Sequence, residues 1–211
     1  MNNFAMSYYR FCIRVMRFAY LNILWILFTV AGLFIFGLMP ATAAMFTVVR
    51  KWVTGDKDVP IFKTFWHNYK TEFVKSNIIG YIFGLIGYLM VVEMKILLAQ
   101  QSKMYLIASL VLLGLIALYF IGLLYVFPVF AHFRLTIMQY IKWPFIIGIV
   151  HPLLTVFMGI GILIIYTFTI ANLPALLIFY GGSVPAQILT WGASKAFINY
   201  EATTSMEAEF S

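Results

Sequence analysis

Four long stretches of this chain carry no charged side chain, and that pattern constrains its fold more than any other feature. No Asp, Glu, Lys or Arg falls between Arg17 and Arg50, between Lys75 and Glu93, between Lys103 and Arg134, or between Lys142 and Lys195, leaving uncharged runs of 32, 17, 30 and 52 residues. A hydrocarbon core about 30 Å thick is crossed by about 20 apolar residues in a helix, so each run is a membrane candidate. Composition agrees: 64% of the 211 residues are hydrophobic and 10% charged, against about 45–50% and about 25% in soluble domains. In lipid every backbone N–H and C=O must be bonded within the chain, which leaves helices or closed barrels. Met104 to Phe127 lacks the two-residue alternation of a barrel strand. The expected fold is all-α, a polytopic transmembrane helical bundle forming a single membrane domain over residues 1–211.

The first run, 18–49, is too long for one perpendicular crossing and too short for two. Pro40, followed by Ala41-Thr42-Ala43-Ala44, marks the expected break, because its ring cannot continue the preceding hydrogen-bond ladder. Ala41-Thr42-Ala43 also has the look of a signal-peptidase site, but the apolar run Phe18 to Met39 exceeds the 7–15 residues of a signal peptide's core. A retained helix is expected. Later segments are expected near 77–99, 104–127, 145–170 and 174–197. If 18–49 crosses once, the fourteen basic residues split nine to five between the two sides; if the chain returns before Arg50, the split is twelve to two, with Lys95 and Lys103 alone outside. Cations are retained on the cytoplasmic side. The reading is therefore a broken or re-entrant first segment, four further spans, and both termini cytoplasmic in a bacterial cell membrane.

Residues 50–76 form the longest polar stretch, a cytoplasmic loop. Within it Phe62, Phe65, Trp66, Tyr69 and Phe73 recur at three- and four-residue spacing, while Lys63 and Lys70 lie elsewhere on the wheel. That pattern describes an amphipathic helix suited to a lipid interface or to a partner's surface. In the last segment Gly181-Gly182 and Pro185 interrupt the helix, and His151 sits inside the 52-residue uncharged run. Interrupted helices are tolerated where backbone is buried in protein or lines a cavity, so Pro40, Thr42, His151, Gly181, Gly182 and Pro185 form a candidate set for a helix break or cavity. Gly80, Gly84 and Gly87 give a small-residue face for helix packing.

Motifs of the common enzyme classes are missing: there is no P-loop, G-x-S-x-G, H-E-x-x-H or dinucleotide fingerprint. His67, His132 and His151 share no ligand-like spacing, and Cys12 is the only cysteine. No enzyme, metal or cofactor is expected. The net charge of +7 comes from basic residues flanking apolar runs, which suits anionic headgroups rather than nucleic acid.

The stretch from Asn22 and Trp25 through Phe36-Gly37-Leu38-Met39-Pro40-Ala41-Thr42-Ala43-Ala44-Met45-Phe46 to Val49-Arg50-Lys51-Trp52 resembles the YesL-like family of bacterial membrane proteins, whose function is unassigned. Phe65-Trp66, Tyr69, Lys70, Phe73 and Ser76-Asn77 resemble its second block. Genes of this family often neighbour those of carbohydrate ABC importers, so the resemblance implies an accessory or regulatory role beside such a transporter, with permease subunits and membrane lipids as partners. The loop 50–76 lacks the Glu-Ala-Ala pattern by which importer permeases dock on their ATPase. The alternative reading is an independent small-solute carrier or channel.

Overall fold

The computed structural model describes the backbone of residues 3–56, 58–100 and 102–209, and the side chains of 5–56, 58–100 and 102–197. Among the described residues the regular structure is entirely helical.

The first helix, α1 (Asn3–Ala31), runs without a glycine or proline. It ends in a Schellman arrangement: Phe34 N–H reaches Thr29 O at 2.9 Å and Leu33 N–H reaches Val30 O at 2.9 Å. Leu33 (φ 57) and Phe34 (φ 61) adopt the left-handed conformation. The reversal also needs Gly32 and Gly37, because a Cβ on Gly32 would collide with the Gly37 backbone. The break thus falls at residues 32–37 rather than at Pro40. Pro40 instead occupies the first turn of α2 (Leu38–Val53), where a missing N–H costs nothing.

Helix α2 runs back along α1. Trp25 Nε1 donates to Thr42 Oγ1 at 3.0 Å, and one end further on the Phe18 and Trp52 rings meet edge to face at 5.3 Å. Small side chains at Ala41, Ala43 and Ala44 are fully buried, as are Val48 and Val49, so helix backbones approach closely around α2. It is the hub of the molecule, touching α1 and the later helices α3 (Ile61–Thr71), α4 (Phe73–Leu98), α5 (Lys103–His132) and α9 (Ser183–Glu209).

Helix α3 (Ile61–Thr71) leads with one intervening residue into α4 (Phe73–Leu98), which pairs with α5 (Lys103–His132). The stretch 50–76, expected as a loop with an amphipathic helix, holds α3 between the end of α2 at Val53 and the start of α4 at Phe73. Segment 145–170 is likewise two helices, α6 (Ile137–Val150) and α7 (Pro152–Asn172), divided at His151 because Pro152 cannot donate to the ladder. Segment 174–197 is divided into α8 (Leu176–Tyr180) and α9 (Ser183–Glu209).

Charge is distributed between two ends. Arg50 Nη1 donates to Ala131 O at 3.1 Å, at the last turn of α5. With 1.5 Å per residue, that contact lies about 42 Å along α5 from Lys103. Lys75 lies over the Tyr140 ring near the same end of α5, where the Phe130 and Tyr140 rings meet at a tilt with centroids 4.9 Å apart, and Lys95 and Lys103 flank the opposite turn.

Among the described residues, four helices are long and apolar enough to cross a membrane: Ala5–Ala31, Phe73–Leu98, Lys103–His132 and Pro152–Asn172. The 16 residues of α2 span only about 24 Å. Large apolar side chains lie exposed along α4, α5 and α7, from Leu85 and Leu89 to Leu106, Leu110, Leu153 and Leu163. Soluble monomers rarely expose apolar surface on this scale; lipid tails cover it at no hydrophobic cost.

Candidate functional site

The break between α8 and α9 is held by one side chain from the first helix. Asn22, fully buried, accepts at Oδ1 from Gly182 N–H (2.8 Å) and Ser183 N–H (3.0 Å). Its Nδ2 donates to Ile178 O at 2.7 Å and, more weakly, to Leu177 O at 3.5 Å. One carboxamide thus supplies an acceptor to the starting N–H groups of α9 and a donor to the terminal carbonyls of α8, the groups that a helix interruption leaves orphaned. Tyr166 of α7 donates to Gly181 O at 2.6 Å. Beside this node lies a cleft of about 220 Å³ lined by Ile165, Thr169, Leu176, Tyr180, Val184 and Pro185 among others. In lipid, backbone groups freed at a helix break must be satisfied within the protein. Here protein side chains satisfy them.

The other residues of the candidate break set do not join it. Pro40 and Thr42 lie in α2, where Thr42 Oγ1 also donates to Leu38 O at 2.7 Å. His151 caps the junction of α6 and α7 through its backbone, receiving Thr155 N–H at 3.1 Å. Thr155 Oγ1 in turn pairs with Tyr125 at 2.9 Å. Gly181, Gly182 and Pro185 alone share the node.

The aromatic helix α3 has a definite seat. Phe28 of α1 gathers the rings of Phe62, Phe65, Trp66 and Tyr69 at centroid distances of 6.4, 5.3, 5.3 and 5.1 Å. Tyr69 donates to Phe28 O at 3.2 Å; burial pushes its phenol above the ordinary value, keeping the proton that makes this bond. Phe65 and Tyr69 are buried, and Phe73 packs on Tyr69 from the start of α4. These three of the five candidate interface rings therefore serve the bundle itself, since an amphipathic helix buries its apolar face on whatever scaffold is nearest. Phe62 and Trp66 remain exposed, with Lys70 Nζ 4.7 Å above the Trp66 ring. An open groove beside them is lined by Lys51, Lys63, His67 and Lys70.

Sequence reasoning missed Asn22, Tyr166 and Phe28 as organising residues. Asn22 carried a signal, being a carboxamide inside an uncharged run, where polar side chains are costly unless bonded. Phe28 carried none, since phenylalanine is common in this chain.

Helices of spanning length, an apolar exterior and a polar interior node closed by side chains define a multi-pass helical membrane protein. The chain belongs to the YesL-like family. Residues 18–94 match the family described as "Protein of unknown function, DUF624". The chain is 42% identical over 190 residues to the "Uncharacterized protein YesL" of Bacillus subtilis (strain 168), covering 89% of this chain and 88% of that protein. It is 38% identical over 197 residues to that organism's "Uncharacterized protein YesV" (92% and 93% covered) and 36% identical over 177 residues to its "Uncharacterized protein YteU" (83% and 78% covered). No solved structure matches.

Proposed function

We propose that this protein is a non-enzymatic accessory or regulatory subunit of a carbohydrate ABC transport system, seated in the cell membrane with both termini in the cytoplasm. The observation that carries the reading is the rigid seating of α3. Its buried rings Phe65 and Tyr69 pack on Phe28, while Phe62 and Trp66, which also touch Phe28, keep an exposed edge beside Lys63 and Lys70. Exposed aromatic and cationic side chains on a preorganised element are the composition from which binding hot spots are built. The partner in this reading is a permease subunit of a sugar importer, which is what the family resemblance suggests.

A tagged copy extracted in mild detergent is expected to recover permease subunits, and Trp66→Ala combined with Lys63→Glu to reduce that recovery strongly. Recovery of chaperones alone, or equal recovery by the variant, refutes the proposal. The alternative of a carrier or channel acting alone is favoured less, because the interrupted helix has its backbone taken up by Asn22 and Tyr166 instead of facing a polar path.

A further inference from the structure

Between α1, α2 and α9, at the end of the molecule that carries Arg50, lies a cleft of about 360 Å³ lined by Arg14, Arg17, Phe18, Trp52 and Gln187. Among the described lining residues the charged ones are both cations. Arg14 and Arg17 stand one helical turn apart on the same face of α1. Among the described residues Arg17 is ion-paired with Asp58, whose carboxylate lies 3.8 Å from Arg17 Nη2 and is 98% exposed. An ion pair to so exposed a carboxylate is weak, and the guanidinium fork has five N–H donors, enough for more than one acceptor.

Two further groups point to a ligand. The Trp52 indole N–H and the Gln187 Oε1 are both buried without a protein hydrogen-bond partner, and both residues line this cleft. Buried polar groups are satisfied in most native structures, so an orphaned donor in a basic cleft marks where a bound acceptor completes the set. The Gln187 carboxamide can turn to offer its N–H₂ instead of its oxygen.

We propose that this cleft binds a phosphate group, held by the guanidinium groups of Arg14 and Arg17 and by the Trp52 N–H. Two guanidinium forks match the spread oxygens of a phosphate, and charge-assisted bonds of this kind are the strong ones. Phe18, edge to face with Trp52, fixes the indole. The phosphate belongs to an anionic phospholipid headgroup or is free in solution. Basic clefts between membrane helices suit the former, and exposed Tyr20, Ile23 and Leu27 continue along α1 from Arg17 as an apolar track for acyl chains.

The test uses the full chain in non-denaturing detergent, with binding of phosphatidylglycerol, phosphatidylcholine and inorganic phosphate measured by native mass spectrometry and by thermal shift. Arg14→Gln with Arg17→Gln should weaken phosphatidylglycerol binding about thirtyfold, and Trp52→Phe severalfold, while Lys95→Gln with Lys103→Gln at the far end should leave it unchanged. Phosphatidylcholine should bind weakly to all. If inorganic phosphate stabilises the parent chain but not the double arginine variant, while phosphatidylglycerol does not discriminate, the site takes free phosphate. If the arginine and lysine variants behave alike with both probes, the attraction is a general property of the charge and the site does not exist. Should the double arginine variant unfold, the Trp52→Phe comparison decides, because phenylalanine keeps the ring packing and removes only the donor.

Discussion

Asn22 Oδ1 accepts the Gly182 N–H at 2.8 Å, joining the first helix to a break 160 residues later in the chain. Replacement by Leu keeps the side-chain size and removes every bond. Hydrogen bonds inside membrane proteins average about 0.6 kcal/mol, so the three short bonds of Asn22 put the loss near ~2 kcal/mol. Asn22→Leu should therefore lower the unfolding midpoint in detergent clearly, and it should speed amide exchange at residues 176–186. An unchanged midpoint would show that the break is held by packing alone.

Gly32 and Gly84 are both glycines in or near apolar helices, yet the structure separates them. A Cβ on Gly32 meets the Gly37 backbone and the Tyr69 hydroxyl, whereas a Cβ on Gly84 meets nothing within 4 Å. Backbone cannot rotate out of the way as a side chain can. Gly32→Ala is expected to destabilise by about 1–3 kcal/mol, while Gly84→Ala is neutral or slightly stabilising because it favours the helix. Thermal melts of the two purified variants check the contrast; equal midpoints would count against the close crossing at 32–37.

Phe28→Ala tests whether α3 is anchored by its aromatic clamp. Truncating a core phenylalanine costs about 3–5 kcal/mol, and Phe28 is only partly buried, which places the effect at the lower end. The distinguishing readout is local: residues 61–71 should exchange faster and become sensitive to protease, with α4 and α5 unaffected. Uniform destabilisation without local loosening would mean that α2, rather than Phe28, holds α3.

The helical class was legible because lipid forces it. Charge-free runs long enough to cross permit one backbone solution, and the chain follows it along α4, α5 and α7. Break positions were less legible. Proline announces itself, so Pro40 drew the expected break, but the chain turns where Leu33 and Phe34 adopt left-handed φ values, and no local signal marks two bulky apolar residues for that conformation. The amphipathic wheel of α3 was readable as a pattern of faces. That Phe65 and Tyr69 would face Phe28, more than thirty residues away, was not, because periodicity reports which side is apolar and not what covers it. The node at Gly181–Gly182 was visible as an interruption, while its partner Asn22 is a long-range contact that one sequence does not encode locally.

Orientation across the bilayer gives the sharpest test, because two independent features make the same demand. Counting charges, a return of the chain before Arg50 leaves twelve of fourteen basic residues on one side. Geometrically, α2 runs back along α1, and Arg50 bonds Ala131 about 42 Å along α5 from Lys103. Cations are held on the cytoplasmic side during insertion. In a Cys12→Ser background, Ser7→Cys and Gly55→Cys are therefore expected to resist a membrane-impermeant thiol reagent in intact cells, and Ser102→Cys to react. All three should react after permeabilisation. Labelling of Gly55→Cys with protection of Ser7→Cys would mean that 18–49 crosses the bilayer fully, and protection of Ser102→Cys in intact cells would place the α4–α5 turn inside.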